Sequence, residues 1–281
     1  TLLDKYQIPV VEASHGYHLV LASPGCGKTH ILAERIRYAR EKGVRYGDML
    51  CLTFTNRAAR EMTNRIQKVV GGDSTELMVG NVHRFCSKFL FEQDKIPADS
   101  AIIDDEEAVS IIADYRNEDE EGVTRDFNRY KGYQTIIFFQ HFIYQMEHQH
   151  PWKFYLHPES FTDDDREAIK QICKSQKREY NEQAVIDIYH HAQQYMDEAN
   201  VPGLDAKTAD RIRVLLWKMY YAGCYAQYKE ENHLLDFEDL LLKTYDIYST
   251  DDTCKRYQWI QVDEVQDLNG MQLAIIDLLT A

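Results

Sequence analysis

Short apolar runs recur along the chain, each followed by a longer stretch in which apolar residues return every three or four positions. This alternation predicts strands at about 18–23, 48–54, 77–82 and 258–263, and helices at 27–42, 56–70, 83–94 and 268–280. A strand–helix rhythm of this kind predicts an α/β unit: a parallel sheet with helices on both faces. Ligands of such sheets bind at the carboxyl ends of the strands. The middle of the chain changes character. Ile212, Leu215, Leu216, Met219 and Tyr220 fall on one helical face, 134–147 and 165–198 read the same way, and no strand alternation persists. The expected organisation is therefore an α/β domain of residues 1–97 plus 233–281, interrupted by a mostly α-helical insertion over 98–232. Residues 117–125, rich in acids and closed by Gly122, are expected to form a flexible loop.

Chemistry-bearing residues sit where the first strand should end. His18–Thr29 reads HLVLASPGCGKT, an apolar run breaking into Ala22, Ser23, Pro24, Gly25, Cys26, Gly27, Lys28 and Thr29. Glycines at 25 and 27 let backbone N–H groups turn inward at the positive end of a helix, which makes an anion nest. Lys28 is placed to reach the β- and γ-phosphates of a nucleoside triphosphate, and the Thr29 hydroxyl to hold Mg²⁺. Ala22 replaces the usual first glycine of this pattern. A second apolar run, Trp259–Val262, leads into Asp263, Glu264, Val265, Gln266 and Asp267. Asp263, at a strand's carboxyl end, can hold the metal, and Glu264 can orient or deprotonate an attacking water.

Taken with further boxes, these segments are similar to the UvrD/Rep/PcrA family of superfamily 1 DNA helicases. Asp263-Glu264-Val265-Gln266-Asp267 resembles that family's DExQD box, in which the glutamine links the γ-phosphate to the DNA-binding side. Leu52–Met62 (LTFTNRAAREM) resembles motif Ia, Gly80–Cys86 (GNVHRFC) motif Ib, and Leu3–Gln7 the Q motif, whose glutamine reads adenine. Asp236-Phe237-Glu238-Asp239-Leu240-Leu241 resembles the DFxDLL segment before motif II. Alanine in place of the first phosphate-loop glycine is usual in that family. The resemblance implies a P-loop, RecA-like fold, with Gln7, Ser23, Pro24, Gly25, Cys26, Gly27, Lys28 and Thr29 on ATP, and Thr29 and Asp263 on Mg²⁺. It implies Lys28, Asp263, Glu264 and Gln266 as the hydrolytic set. Phe54, Thr55, Asn56, Arg57, His83 and Arg84 would lie on single-stranded or tailed duplex DNA. The implied activity is 3′–5′ translocation or unwinding in DNA repair or recombination, with a second RecA-like domain downstream. The sequence ends before anything like motifs III to VI, so this part alone is expected to bind ATP weakly and not to unwind. A RecB/AddA-like helicase–nuclease and a nucleotide-dependent scaffold that does not unwind remain as alternatives.

Charge and composition refine this picture. A net charge of −14 argues against nucleic acid as a global number. Nine acids between Asp104 and Glu121 oppose only Arg116, which reads as a solvated face. Arg57, Arg60, Arg65 and Lys68 instead follow motif Ia and oppose Glu61 alone, a modest phosphate-tracking stretch. Six cysteines lie far apart without a CxxC pair, which suggests reduced thiols in the cytoplasm. No run is long enough to span a membrane. The aromatic and histidine cluster His141, His148, His150, Trp152, Tyr155 and His157 fits no zinc spacing. Packing around Trp152 is its default reading, and stacking of Trp152 or Tyr155 on unpaired bases is the alternative.

Overall fold

A computed structural model describes residues 2–23, 27–129, 133–198 and 204–281. The chain divides into two compact units, Thr1–Leu90 with Thr244–Ala281, and Phe91–Lys243. Among the described residues the strands are β1 (Met49–Leu52), β2 (Met78–Gly80), β3 (Ala101–Ile102), β4 (Leu234–Leu235) and β5 (Trp259–Val262).

The first unit is built on a parallel sheet in the order β2-β1-β5. All four residues of β1 are buried, as expected of a central strand covered on both faces. Met49 and Cys51 pack with Ala33, Ile36 and Ala39 of α1 (Lys28–Glu41) and with Met62 and Ile66 of α2 (Asn56–Val70). Leu50 and Leu52 point to the opposite face and are equally buried. Helix α2 forms because Ala59, Met62 and Ile66 make a buried stripe and Thr55 caps it, its side chain accepting the Ala58 N–H. Gly71, in the left-handed region at φ 68°, closes it. α3 (Gly270–Leu279) starts on a capping box between Asn269 and Gln272.

Residues 18–23 correct the expectation of a first strand. They form no strand, and Leu19, Val20 and Leu21 are 73%, 50% and 89% exposed. β1 is already paired on both sides, so only the outer edges of β2 and β5 were left for another neighbour. Ahead of β5 the end of the chain bonds to Tyr257, whose N–H donates to Leu279 O (2.7 Å) and whose carbonyl accepts the Ala281 N–H (3.0 Å). An apolar run supplies the tendency to be buried but not a ladder partner.

The second unit is mostly helical. A 26-residue helix, Ala206–Glu231, packs against Tyr133–Glu147. Phe139, Phe142, Leu215, Leu216, Met219, Tyr221 and Tyr225 fill its core. The stretch 165–198 resolves into three helices, Asp163–Ser175, Glu182–His190 and Ala192–Glu198. The loop expected over 117–125 is instead partly helix, Glu120–Arg129. Asp119 accepts the Gly122 N–H at 2.7 Å, Ser110 Oγ donates to Glu120 at 2.7 Å, and Val123 is fully buried. A local cap and one apolar anchor outweigh the charge repulsion that suggested a loop. β3 and β4 make a two-residue parallel pair in this unit.

A buried polar network crosses the same core. Asp236 Oδ2 accepts from His141 Nε2 (2.9 Å), the Tyr225 hydroxyl (2.9 Å) and Lys229 Nζ (3.0 Å). Lys229 also donates to Asp239 (2.6 Å) and Gln140 (2.7 Å). His141, Asp236 and Asp239 are a possible metal donor set, yet Lys229 already supplies positive charge to both carboxylates. Burial alone would lower the His141 imidazole, but Asp236, Asp239 and Glu238 overcome it and push it up to about 9. Burial likewise opposes ionisation of Asp236, and His141 and Lys229 hold it well below the usual carboxylate range. The raised histidine contributes stability that is complete below its unfolded pKa of about 6.5 and lost as pH rises through about 9, on the order of 3 kcal/mol. Thermal unfolding should therefore show a midpoint falling between pH 6.5 and 9.5. His141→Gln should remove most of that slope, and an unchanged slope in the variant would contradict this assignment.

Candidate functional site

The register of the sheet creates the site. Leu52 at the end of β1 pairs with Gly80 at the end of β2 and with Val262 at the end of β5. All three strands run parallel, so the chain leaves them at one level. The ladder continues one residue further, the Thr53 N–H donating to Gly80 O and the Asp263 N–H to Leu52 O, both at 2.9 Å. Phe54–Arg57, Asn81–Arg84 and Asp263–Gln266 thus emerge along one edge of the sheet, its carboxyl edge.

Lys28 is the first residue of α1, after Gly27 at φ 81°, a left-handed conformation that favours glycine. Its Nζ donates to Glu264 Oε1 at 3.3 Å, a pair 36% and 37% exposed and hence weak on its own. Gln266 Nε2 donates to the other Glu264 oxygen. These two partners, Gln266 first and Lys28 next, hold the Glu264 carboxyl below its ordinary value. Glu264 is itself left-handed, at φ 54°, and its N–H donates to Asp263 Oδ1 at 3.0 Å. The Asp263 carboxyl moves the other way, raised by partial burial and by the charge of Glu264. Thr29 lies in the first turn of α1, half-buried, and Ser23 is exposed ahead of it. Pro24, Gly25 and Cys26 lie outside the described residues.

Gln7 begins a short helix, Gln7–Glu12. A side chain at Gly27 would place its Cβ 3.6 Å from Gln7 Nε2, so the Gln7 amide lies against the loop's last glycine. Arg35 on α1 holds that helix in place. Its guanidinium donates to the carbonyls of Val10 (2.6 Å), Val11 (3.2 Å) and Ala13 (2.8 Å) and stacks over Trp259. Gln261, buried on β5, donates to Leu32 O at 2.8 Å and fixes the strand to α1. Neither Arg35 nor Gln261 was a candidate in the sequence, where an arginine in an amphipathic helix and a glutamine in a strand carry no distinguishing signal.

Phe54 is 46% exposed although it follows a buried strand. Thr55, Asn56 and Arg57 are exposed beside it, and Arg57 pairs with Glu61 at 3.1 Å. His83 is half-buried and Arg84 exposed, in the first turn of Val82–Glu92. Asn81 joins the two segments: its Nδ2 donates to Asn56 Oδ1 (3.3 Å) while its own oxygen accepts the Arg84 N–H (2.8 Å). Its place as a helix-capping asparagine was the signal that could have marked it.

Lys28, bonded to Glu264, thus gathers with Asp263 and the exposed Phe54 at one sheet edge. The family model described as UvrD/REP helicase N-terminal domain matches residues 3–281. The chain belongs to the UvrD/REP helicase family. It is 26% identical over 288 aligned residues to the "ATP-dependent DNA helicase PcrA" of Staphylococcus aureus, covering 99% of this chain and 32% of that protein. It is 25% identical to the PcrA helicase of Staphylococcus epidermidis, covering 99% of this chain and 31% of that relative. The chain thus spans about a third of the length of these relatives. No described helix is long and apolar enough to cross a membrane, and Cys51, Cys86, Cys173, Cys224 and Cys254 are free thiols.

Proposed function

We propose that this chain is the N-terminal motor part of an ATP-dependent 3′–5′ DNA helicase or translocase, coupling ATP hydrolysis to movement along single-stranded DNA in repair or recombination. The observation that carries the reading is the shared level at which β1, β2 and β5 end, which sets Glu264 3.3 Å from Lys28 and Phe54 on the same edge. The unit of 1–90 and 244–281 is the RecA-like ATP-binding domain in this reading, and 91–243 its helical insertion. A second RecA-like domain elsewhere in the whole protein completes the cleft, a role for which the relatives' greater length leaves room. We place its work in the cytoplasm, consistent with the free thiols.

In this account the N–H groups of the loop through Gly27 and the Lys28 ammonium take the phosphates, and Gln7 beside Gly27 reads the adenine. The donor set suits Mg²⁺, a hard cation that prefers oxygen. Asp263 and Thr29 offer oxygen atoms, and the raised Asp263 carboxyl is an anion short of compensating charge. Mg²⁺, when bound, neutralises charge on the transferring phosphate. Glu264, kept ionised by Gln266 and Lys28, accepts the proton of the attacking water. Transfer of Lys28 to the phosphates releases one of its oxygens for that task, and Gln266, still bonded to the other, reports the event towards the DNA side.

DNA contact is assigned to Phe54, Thr55, Asn56, Arg57, His83 and Arg84. Phe54→Ala should reduce DNA-stimulated ATP hydrolysis while leaving basal hydrolysis intact, since a lost base stack is worth roughly 1–3 kcal/mol. Arg57→Ala should weaken binding evenly across sequences and flatten the salt dependence by about one phosphate contact. Steady-state hydrolysis over a titration of single-stranded DNA tests both, and a full DNA response in the two variants would move the strand off this edge.

A further inference from the structure

We propose that Trp152, on the helical unit, is a stacking platform for an unpaired nucleic-acid base, a contact separate from the Phe54 edge. The inference rests on the DNA-motor reading and deepens it by naming a second point at which single-stranded DNA is held. Trp152 is 57% exposed, the largest aromatic surface that this unit offers among its described residues. Exposure alone means little for a single apolar side chain, but this ring is also braced. Phe142 meets it edge-on at 6.3 Å and 82°, and Tyr155 lies against it at 4.8 Å and 37°. Both braces are buried, at 1% and 9% exposure, so the ring is fixed from behind by the core. The backbone is fixed as well. Pro151 precedes a turn of 3₁₀ helix, Trp152–Phe154, whose Phe154 and Tyr155 N–H groups donate to Pro151 O (2.9 Å) and Trp152 O (3.0 Å).

A rigid indole with an open surface loses little conformational freedom when a flat partner lands on it. Bases provide such a partner, and their π-faces stack whatever the sequence. The charge around the ring favours a base over a phosphate. Lys153 is exposed next to it, while His157 is engaged by Glu238 and Glu159. At most one phosphate contact, from Lys153, should accompany the stack, so this contribution to affinity depends little on salt. Tyr155, the other aromatic in the segment, is buried and serves as the brace.

The test is a comparison of Trp152→Phe and Trp152→Ala with the parent in the natural full-length protein. Affinity for a fluorescently labelled oligo(dT) is read by anisotropy, and folding by thermal midpoint. The parent should bind, Trp152→Ala should bind about five- to 150-fold more weakly, and Trp152→Phe should retain most of the affinity. The thermal midpoints should stay close to that of the parent, and a blunt duplex, whose bases are not offered, should compete poorly. Binding by the parent with unchanged affinity in Trp152→Ala would overturn the platform while leaving the motor reading intact. A loss in Trp152→Ala matched by a collapse of its thermal midpoint, with Trp152→Phe no better, would make the ring structural and overturn it too. No binding of oligo(dT) by the parent would overturn the motor reading itself.

Discussion

Lys28→Ala should lower MgATP affinity by about 30-fold to several thousand-fold, the 2–5 kcal/mol typical of removing one partner from a desolvated charge pair. The ammonium stands at the start of α1, where the helix dipole and the N–H groups after Gly27 already favour an anion. The ammonium rests on Glu264 at 3.3 Å. That pair is more than a third exposed, so phosphates can replace it at little cost, and the lysine spends its charge on the ligand. Titration with a fluorescent ATP analogue measures the loss. Equal affinity in parent and variant would remove the phosphate-loop assignment.

Glu264→Gln should act on the opposite side of the reaction. The amide preserves size and much of the hydrogen bonding to Gln266 and Lys28, but it cannot take a proton, so turnover should fall on the order of 10²- to 10⁴-fold. Nucleotide affinity should hold or rise, because the variant no longer competes as an anion for Lys28. Asp263→Asn should instead weaken the Mg²⁺-dependent part of binding. Had the two acids equal roles, both variants would lose affinity alike. Their surroundings differ: burial and a neighbouring charge raise Asp263, whereas Gln266 and Lys28 lower Glu264.

Much of the candidate site was legible because its residues sit in short segments. Met49–Asn56 and Trp259–Asp267 each combine an apolar strand with the polar residues at its carboxyl end, so period and punctuation pointed to the same place. The helix expected over 56–70 runs over Asn56–Val70, with Thr55 as its cap and Gly71 at its end. Other parts depended on pairs far apart in the chain. Nothing local relates His141 to Asp236, 95 residues on, or Arg35 to the carbonyls of the helix it holds. The segment 18–23 carried a clear apolar signal and yet Leu19, Val20 and Leu21 stand exposed, because an apolar run does not itself supply a ladder partner. Residues 117–125 failed in the other direction: the acids were visible, but the burial of Val123 and the Asp119 cap were not.

The central claim is that Lys28 and Glu264 form one ATP-hydrolysing site joined to a DNA-binding edge. The most direct test is ATP hydrolysis by the natural full-length protein, with and without single-stranded DNA, in the parent and in Glu264→Gln. The account predicts strong stimulation by DNA in the parent, and in Glu264→Gln retained ATP and DNA binding with turnover at least about 100-fold lower under both conditions. Stimulated hydrolysis in Glu264→Gln close to the parental rate would contradict it.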